Sequence, residues 1–246
     1  VFHCNESLGE KNSVKKAEQE LKNRYESLEN KYDKFLAENY DYKANTYETN
    51  KINLLSNPTS LYAKQPTVYY GLMYLAKNAK KEVKIHTPYI ICNDYMYNEL
   101  KNINVPTTIM TNSAENNGNI FGAVDYLSHK KDIINTGVTI KEYEGGISYH
   151  GKSMTIDDDI AIVGSFNMDM RSAYIDTELM LVINSKDINK QLKASMEEYE
   201  KKAATVKNET EYSHIPEGMK MKELSDKKKN IKAWFGWAMN GLRFLF

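Results

Sequence analysis

Apolar and polar residues alternate along the chain with two different periods, and these periods predict where helices and strands lie. Between residues 11 and 40, apolar positions recur every three or four residues while Glu and Lys fill the remaining positions. This spacing predicts either a short coiled coil or a single amphipathic helix packed on a sheet. Residues 41–66 are rich in Asn, Tyr and Thr, which is typical of a linker between two halves of a protein, and include a candidate strand, Lys51–Ser56.

Beyond residue 66, short apolar runs alternate with segments of helical periodicity. Such alternation is typical of an α/β protein in which helices cover a mostly parallel sheet. The acidic trio Asp157–Asp159 separates two apolar runs and predicts a turn. The predicted helices are Val68–Asn78, Asp94–Lys101, Phe121–Thr136 and Lys186–Lys202, and the predicted strands are Val83–Tyr89, Thr107–Thr111, Val138–Tyr143, His150–Ile156, Ile160–Gly164 and Leu179–Asn184.

Composition narrows the class of protein. The 246 residues are 41% hydrophobic and 27% charged, which is the balance of a folded globular protein. Basic and acidic residues number 33 each, so the net charge is zero and nucleic acid is not the expected partner. The two cysteines, Cys4 and Cys92, are too few for a disulfide framework and lack C-x-x-C spacing. The weakly polar stretch Ala233–Phe246 is too short to span a bilayer.

One short segment carries a set of side chains suited to binding a phosphodiester. Lys152 can neutralise phosphate oxygens, while Ser165 and Asn167 can donate hydrogen bonds to them. His150 can attack phosphorus or protonate a leaving alkoxide, because its pKa lies near neutrality. In a strand, His150 and Lys152 point to the same face and reach one phosphate. Gly164 then permits a tight turn that brings Ser165 and Asn167 alongside.

The spacing H-x-K-x-x-x-x-D-x-x-x-x-x-x-G-S-x-N, which begins at His150, resembles the HKD signature of the phospholipase D superfamily. The upstream run Thr87-Pro88-Tyr89 and the downstream run Asn167-Met168-Asp169-Met170-Arg171-Ser172 resemble bacterial cardiolipin synthases, as does Glu178 before an apolar strand. The resemblance covers roughly residues 55–196. It implies a phospholipase D-like α/β fold, with a mixed, mostly parallel sheet flanked by helices, that forms one half of a two-half enzyme.

The resemblance also implies a role for each candidate residue. His150 and Lys152 are the expected catalytic pair, and Glu178 is expected to hold the imidazole. Asp157 is a further catalytic candidate, although capping a turn through backbone amides is an equally good interpretation of it. Lys152, Ser165 and Asn167 are expected to bind the substrate phosphate. No metal ion or other cofactor is implied, since lysine and hydrogen bonds supply the charge stabilisation.

The implied reaction is phosphatidyl transfer through a phosphohistidine, with a phosphatidylglycerol-like lipid as substrate. Such enzymes carry two HKD motifs, and only the second is present here, so the first is expected in an N-terminal half of the same longer chain or in a second subunit. Two alternatives remain: a one-motif phosphodiesterase or nuclease that works as a homodimer, and a non-catalytic lipid-binding half. The sequence does not decide between transfer and hydrolysis.

The same interpretation divides the chain into three parts. Residues 1–50 are expected to be a helical remnant of the missing N-terminal half, because the chain opens without Met, and residues 51–205 the catalytic half. Residues 206–246 form a basic, aromatic tail that either lies at a lipid interface or covers an apolar groove of the body. A membrane-associated protein on the cytoplasmic side follows from the resemblance. Asp169 and Arg171 are expected to pair within the loop that follows the motif.

Overall fold

The computed structural model describes residues 11–36, 41–44, 46–235, 241 and 243–245, with backbone alone at 31–36 and 235. The chain forms two compact units, residues 1–46 and residues 47–246. The first contains helix α1, Asn12–Leu36, which confirms the predicted helix; residues 37–40 of that prediction lie outside the described part. Side chains 11–30 are all exposed, and ion pairs such as Lys22–Glu18, at 2.9 Å, follow the i,i+4 spacing of a solvated helix.

The second unit alternates helices and strands over its whole length. Several predicted elements are confirmed with the same bounds, among them Lys51–Ser56 and Asp94–Lys101. The strands are β1 Lys51–Ser56, β2 Val83–His86, β3 Ile90–Ile91, β4 Thr107–Asn112, β5 Thr139–Tyr143, β6 Ser153–Ile156, β7 Ile160–Gly164, β8 Met168–Asp169, β9 Leu179–Asn184, β10 Ala203–Val206 and β11 Tyr212–His214. The helices are α2 Thr67–Lys77, α3 Asp94–Lys101, α4 Ile120–Ile134, α5 Met170–Tyr174, α6 Lys186–Glu200 and α7 Asp226–Phe235, followed by a 3-10 turn, Arg243–Leu245.

Nine strands form one mixed sheet in the order β1-β9-β7-β6-β2-β4-β5-β10-β11, and β3 pairs with β8 separately. The predicted α/β class is confirmed, but the prediction that the sheet is mostly parallel is wrong. Within the described residues, β2, β4 and β5 run parallel, and the other six pairings of the large sheet are antiparallel. Helices α3 and α4 provide the long crossovers that parallel strands need, whereas the short turn between β6 and β7 permits only an antiparallel hairpin.

Helix α2 packs on the sheet beside β1 and forms much of the core. Its buried residues recur along one helical face, at Val68, Leu72 and Ala76, while Tyr70 and Tyr74 face solvent. Ile85 on β2 and Met154 on β6 are buried in the same core. Burial of each such side chain contributes about 1.5–3 kcal/mol to the free energy of folding. This core fixes β2 and β6, whose ends carry the candidate site.

No helix in the described part of the chain combines the length and the apolar character needed to cross a bilayer.

Candidate functional site

The region where β6 begins and β7 ends carries the candidates His150, Lys152, Ser165 and Asn167. Because these strands are antiparallel neighbours, Lys152 before β6 lies beside Gly164 at the end of β7, and the Gly164 N–H donates to the Lys152 carbonyl at 3.2 Å. A Cβ on Gly164 would overlap the Leu179 carbonyl oxygen, so glycine permits the close approach of β9. Ser165 and Asn167 follow directly, as the sequence predicts.

The predicted strand His150–Ile156 begins three residues later, at Ser153. The Asn112 side chain accepts a hydrogen bond from the Tyr149 N–H at 2.8 Å and donates one to the Tyr149 carbonyl at 2.9 Å. These contacts satisfy the Tyr149 backbone with a side chain rather than a neighbouring strand. His150 and Lys152 therefore belong to a segment that is held in place at the end of β4, and the strand argument for their shared face does not apply.

His150 and Lys152 nevertheless lie in direct contact. The Lys152 Nζ lies 2.8 Å from Nδ1 of the imidazole and donates to the His150 carbonyl at 2.8 Å. The same Nζ lies 3.4 Å from Nε2, so the ammonium group faces both ring nitrogens. Partial burial lowers the pKa of His150, and the positive charge of Lys152 lowers it further. The pair thus combines a neutral imidazole with an adjacent cation.

Glu178 lies at the centre of the hydrogen bonds behind this pair. Its buried carboxylate accepts a very short hydrogen bond from the Ser165 hydroxyl and one of 2.9 Å from the Ser172 hydroxyl. Within the described residues, neither carboxylate oxygen bonds to His150, so the prediction that Glu178 holds the imidazole is wrong for this structure. Burial lowers the pKa of Lys152, and the nearby carboxylates of Glu178 and Asp169 offset part of that effect.

Ser165 and Asn167 are brought to the site with much of their hydrogen-bonding capacity already used. The exposed Ser165 hydroxyl donates to Glu178 and accepts from the Leu179 N–H at 3.0 Å. The Asn167 side-chain Nδ2 donates to the Ser172 hydroxyl at 3.3 Å, which leaves one of its two N–H groups for a ligand. Its Oδ1 is buried and has no partner among the residues that the structure describes.

Asp157, the further catalytic candidate, lies apart from the other candidate residues. It lies in the turn at the far end of β6, about 15 Å from Lys152 along an extended strand. Its carboxylate accepts hydrogen bonds from the backbone N–H groups of Lys80, Lys81 and Glu82, at 2.6–3.2 Å. Burial alone would raise the pKa of Asp157, but these amides and the Lys81 charge lower it below its ordinary value. Capping the turn is the role that this geometry provides.

Asp169 and Arg171 do not pair with each other as predicted. Asp169 is buried and caps helix α5 by accepting the Ser172 N–H at 2.5 Å, and burial raises its pKa to about 6 against the effect of that hydrogen bond. Arg171 instead forms an ion pair with Asp176 at 2.9 Å and donates to the Leu245 carbonyl at 3.2 Å. Asp169 therefore fixes the buried side of the loop after the motif, and Arg171 fixes its exposed side.

Two residues that the sequence analysis left without a role support the site. Ser172 belongs to the run after the motif that resembles cardiolipin synthases, so the sequence could have indicated it. Asn57 belongs to a segment that the sequence predicts to be a linker, and no pattern indicates a role for it. Asn57 is buried, and its amide donates to the Ser172 carbonyl at 2.7 Å while its backbone N–H donates to the Glu178 carbonyl at 3.0 Å. Only the folded chain brings position 57 beside positions 172 and 178.

His86, unlike the exposed His150, is buried and lies outside the candidate site. Its Nε2 lies 3.2 Å from Glu200, which also accepts from Lys141 at 2.5 Å. Burial lowers the pKa of His86, and the Glu200 carboxylate offsets part of that change. Burial would raise the pKa of Glu200, but His86 and Lys141 lower it to about 2. This cluster holds helix α6 on the sheet.

Comparison with known protein families gives a direct match. The family model described as cardiolipin synthase, PLD-like domain, matches residues 72–199, which include every candidate residue above. Cardiolipin synthase 1 of Staphylococcus epidermidis is 31% identical over 159 residues, which make up 63% of this chain and 32% of that protein. The chain spans about a third of the length of the curated relatives it matches.

Solved structures show the same fold at low sequence identity. A phosphatidylserine synthase of Haemophilus influenzae is 16% identical, with a TM-score of 0.58 over 79% of this chain and 48% of that one. Nuc of Salmonella typhimurium, a phospholipase D family member, is 15% identical, with a TM-score of 0.51 over 63% of this chain and 97% of that one. These two likenesses concern the fold.

Proposed function

This chain belongs to the cardiolipin synthase family of phospholipase D-like domains, and from that premise we propose that it supplies one histidine half-site of a phosphatidyl-transferring enzyme in phospholipid synthesis. The observation that carries the proposal is the contact between His150 and Lys152, 2.8 Å apart beside the Glu178–Ser165 hydrogen bond. The cation can bind a phosphodiester, and the imidazole beside it can give a proton to the leaving oxygen as the imidazolium or accept one as the neutral ring.

The proposed reaction divides into two displacements at one phosphorus atom. A histidine of the partner half forms a P–N bond while the P–O bond to the departing alcohol breaks, and His150, which enters this step as the imidazolium, gives its Nε2 proton to that alkoxide and becomes neutral. In the second step His150 Nε2 accepts the proton of an incoming alcohol, whose oxygen forms a new P–O bond as the P–N bond breaks.

The proposed substrates and partners follow from the family. Phosphatidylglycerol is both donor and acceptor, and glycerol is released. The partner half, with the first HKD motif, belongs either to the same full-length chain or to a second subunit. Because the substrate is a lipid, we place the enzyme at a membrane surface, on its cytoplasmic side.

The test compares this chain alone with the same chain mixed with a first-motif half from a bacterial cardiolipin synthase. Phosphatidylglycerol vesicles are the substrate, and released glycerol and the two-phosphate lipid are measured. The chain alone, as a monomer, should be silent, because loss of one acid–base partner typically costs about 10²–10⁴-fold. The mixture should convert phosphatidylglycerol to the two-phosphate lipid and release glycerol.

Two variants accompany that measurement. His150→Ala should abolish turnover in the mixture, whereas Lys186→Ala, an exposed lysine beyond the far end of β9, should leave it unchanged. Turnover by demonstrably monomeric chain would contradict the half-site proposal. Activity that rises with the dimer fraction of this chain alone would instead support the one-motif phosphodiesterase.

A further inference from the structure

Ser172 connects two residues of the candidate site through one buried hydroxyl. The side chain is 1% exposed. Its hydroxyl donates to Glu178 Oε1 at 2.9 Å and accepts from both the backbone N–H and the side-chain Nδ2 of Asn167, at 3.2 and 3.3 Å. A hydroxyl offers one donor and two acceptor lone pairs, so Ser172 uses its whole capacity on these two residues.

The backbone of Ser172 is held as firmly as its hydroxyl. The Asp169 carboxylate accepts the Ser172 N–H at 2.5 Å, and the Asn57 amide donates to the Ser172 carbonyl at 2.7 Å. Asn57 is itself fixed, because its Oδ1 accepts the Val68 N–H at 3.1 Å at the start of α2. Four residues from three segments therefore determine where the Ser172 hydroxyl lies.

Glu178 connects Ser172 to the residues proposed to bind the phosphate. One of its oxygens is bonded to Ser172 and the other to Ser165, and its charge acts on Lys152. Without the Ser172 hydroxyl, the buried Glu178 Oε1 would lose its donor and the half-buried Asn167 side chain its acceptor. Both groups would then be free to rotate away from their present positions.

We propose that Ser172 is a positioning residue for the phosphate site, which acts through Glu178 and Asn167 without touching the substrate. This inference rests on the proposed function, since it takes the Lys152–Ser165–Asn167 group as the place where phosphate binds. A precise site needs such support, because side chains held only by their own rotamers are too loosely placed for binding and catalysis.

The test measures the affinity of this chain for inorganic phosphate by calorimetry and ³¹P NMR. Ser172→Ala should weaken binding about fivefold, the equivalent of one neutral hydrogen bond. Ser172→Thr keeps the hydroxyl and should recover most of the loss. Ser185→Ala is the matched control: Ser185 is also buried, and its hydroxyl makes one neutral hydrogen bond, to the Glu48 carbonyl at 2.7 Å at the opposite end of β9.

Lys152→Ala separates this inference from the proposed function. It should weaken phosphate binding by about tenfold or more, since it removes a charged donor. If Lys152→Ala leaves the affinity unchanged, the proposed phosphate site itself is wrong. The positioning role alone is overturned if Lys152→Ala weakens phosphate binding but Ser172→Ala does not. It is also overturned if Ser172→Ala weakens binding no more than Ser185→Ala when the two variants are equally stable to heat. If Ser172→Thr binds phosphate no more tightly than Ser172→Ala, that result also contradicts the positioning role.

Discussion

The contact between Lys152 and His150 sets the protonation of the imidazole. Because burial and the Lys152 charge both lower the pKa of His150, the ring stays neutral to a lower pH in the folded chain than in the unfolded chain. The unfolded chain therefore binds more protons as the pH falls through the ordinary range of histidine. The free energy of unfolding should accordingly decrease in that range.

Lys152→Gln tests this electrostatic coupling. The substitution removes the positive charge but keeps a long side chain, so the pKa of His150 should rise partway toward its ordinary value; the contribution from burial should remain. Titration of the imidazole resonances by NMR measures the change, and Lys186→Gln serves as the control. An unchanged pKa in Lys152→Gln, or an equal rise in the control, would contradict the coupling.

At this scale the sequence predicts which residues meet but not which atoms bond. The motif spacing brings His150, Lys152, Ser165 and Asn167 to one place, because the β6–β7 hairpin returns the chain to its start. The partner of Glu178 could not be predicted in the same way. The orientation of His150 depends on Asn112, which fixes the Tyr149 backbone from another strand. No local pattern contains that contact.

The turn between β6 and β7 illustrates how one side chain joins two elements. Asp157 has a φ of 51°, in the left-handed region, where Asp is tolerated better than most residues. Its carboxylate holds the backbone N–H groups that lead into β2. The hairpin and the neighbouring strand are thereby fixed relative to one another.

Asp157→Ala should lower the free energy of unfolding by about 2 kcal/mol, because three amides lose their acceptor and Ala disfavours a positive φ. Asp159, in the same turn, makes no side-chain hydrogen bond to any residue that the structure describes, so Asp159→Ala should change the free energy of unfolding by less than about 0.5 kcal/mol. Urea denaturation measures both values. If folded Asp157→Ala, mixed with the first-motif half, lost phosphodiester turnover without losing stability, the catalytic interpretation of this residue would be supported.

Element types were easier to predict than strand directions. Apolar runs and helical periods are local, so most bounds agree with the structure to within a few residues. Whether two strands run parallel or antiparallel depends on the path of the connection between them. The sequence between β7 and β9 contains only a two-residue strand and the short helix α5, too little for a covering crossover, and β9 accordingly runs antiparallel to β7.

On the scale of the whole molecule, the C-terminal segment is attached to the body through cations. The buried Lys228 Nζ donates to the carbonyls of Ala114, Glu115 and Asn117 at 2.6–3.0 Å. Arg243 binds the Asp125 carboxylate at 2.6 and 3.1 Å. The segment is thus docked at these two points, while Trp234 between them remains 83% exposed. Trp237 lies outside the described residues.

We expect this exposed aromatic residue and the lysines around it to contact anionic lipid. Co-sedimentation with vesicles should require anionic lipid and weaken as salt rises, since each lysine near the surface contributes about 1 kcal/mol. Trp234→Ala should reduce binding, whereas Tyr62→Ala, which alters an equally exposed aromatic residue, should not. Equal effects of the two variants would show that the contact is not specific to the tail.

The order of strands in the sheet has a consequence for synthesis on the ribosome. Strand β1 pairs with β9, and the Asn50 and Asn184 side chains that hydrogen-bond at the end of this pair are 134 positions apart. At about 5–20 residues per second, roughly 7–27 s pass between the emergence of the two partners. During that time the apolar side chains of β1 have no strand beside them. Slowing translation within residues 57–178 should therefore increase the capture of nascent chains by chaperones, because the open β1 edge persists for longer.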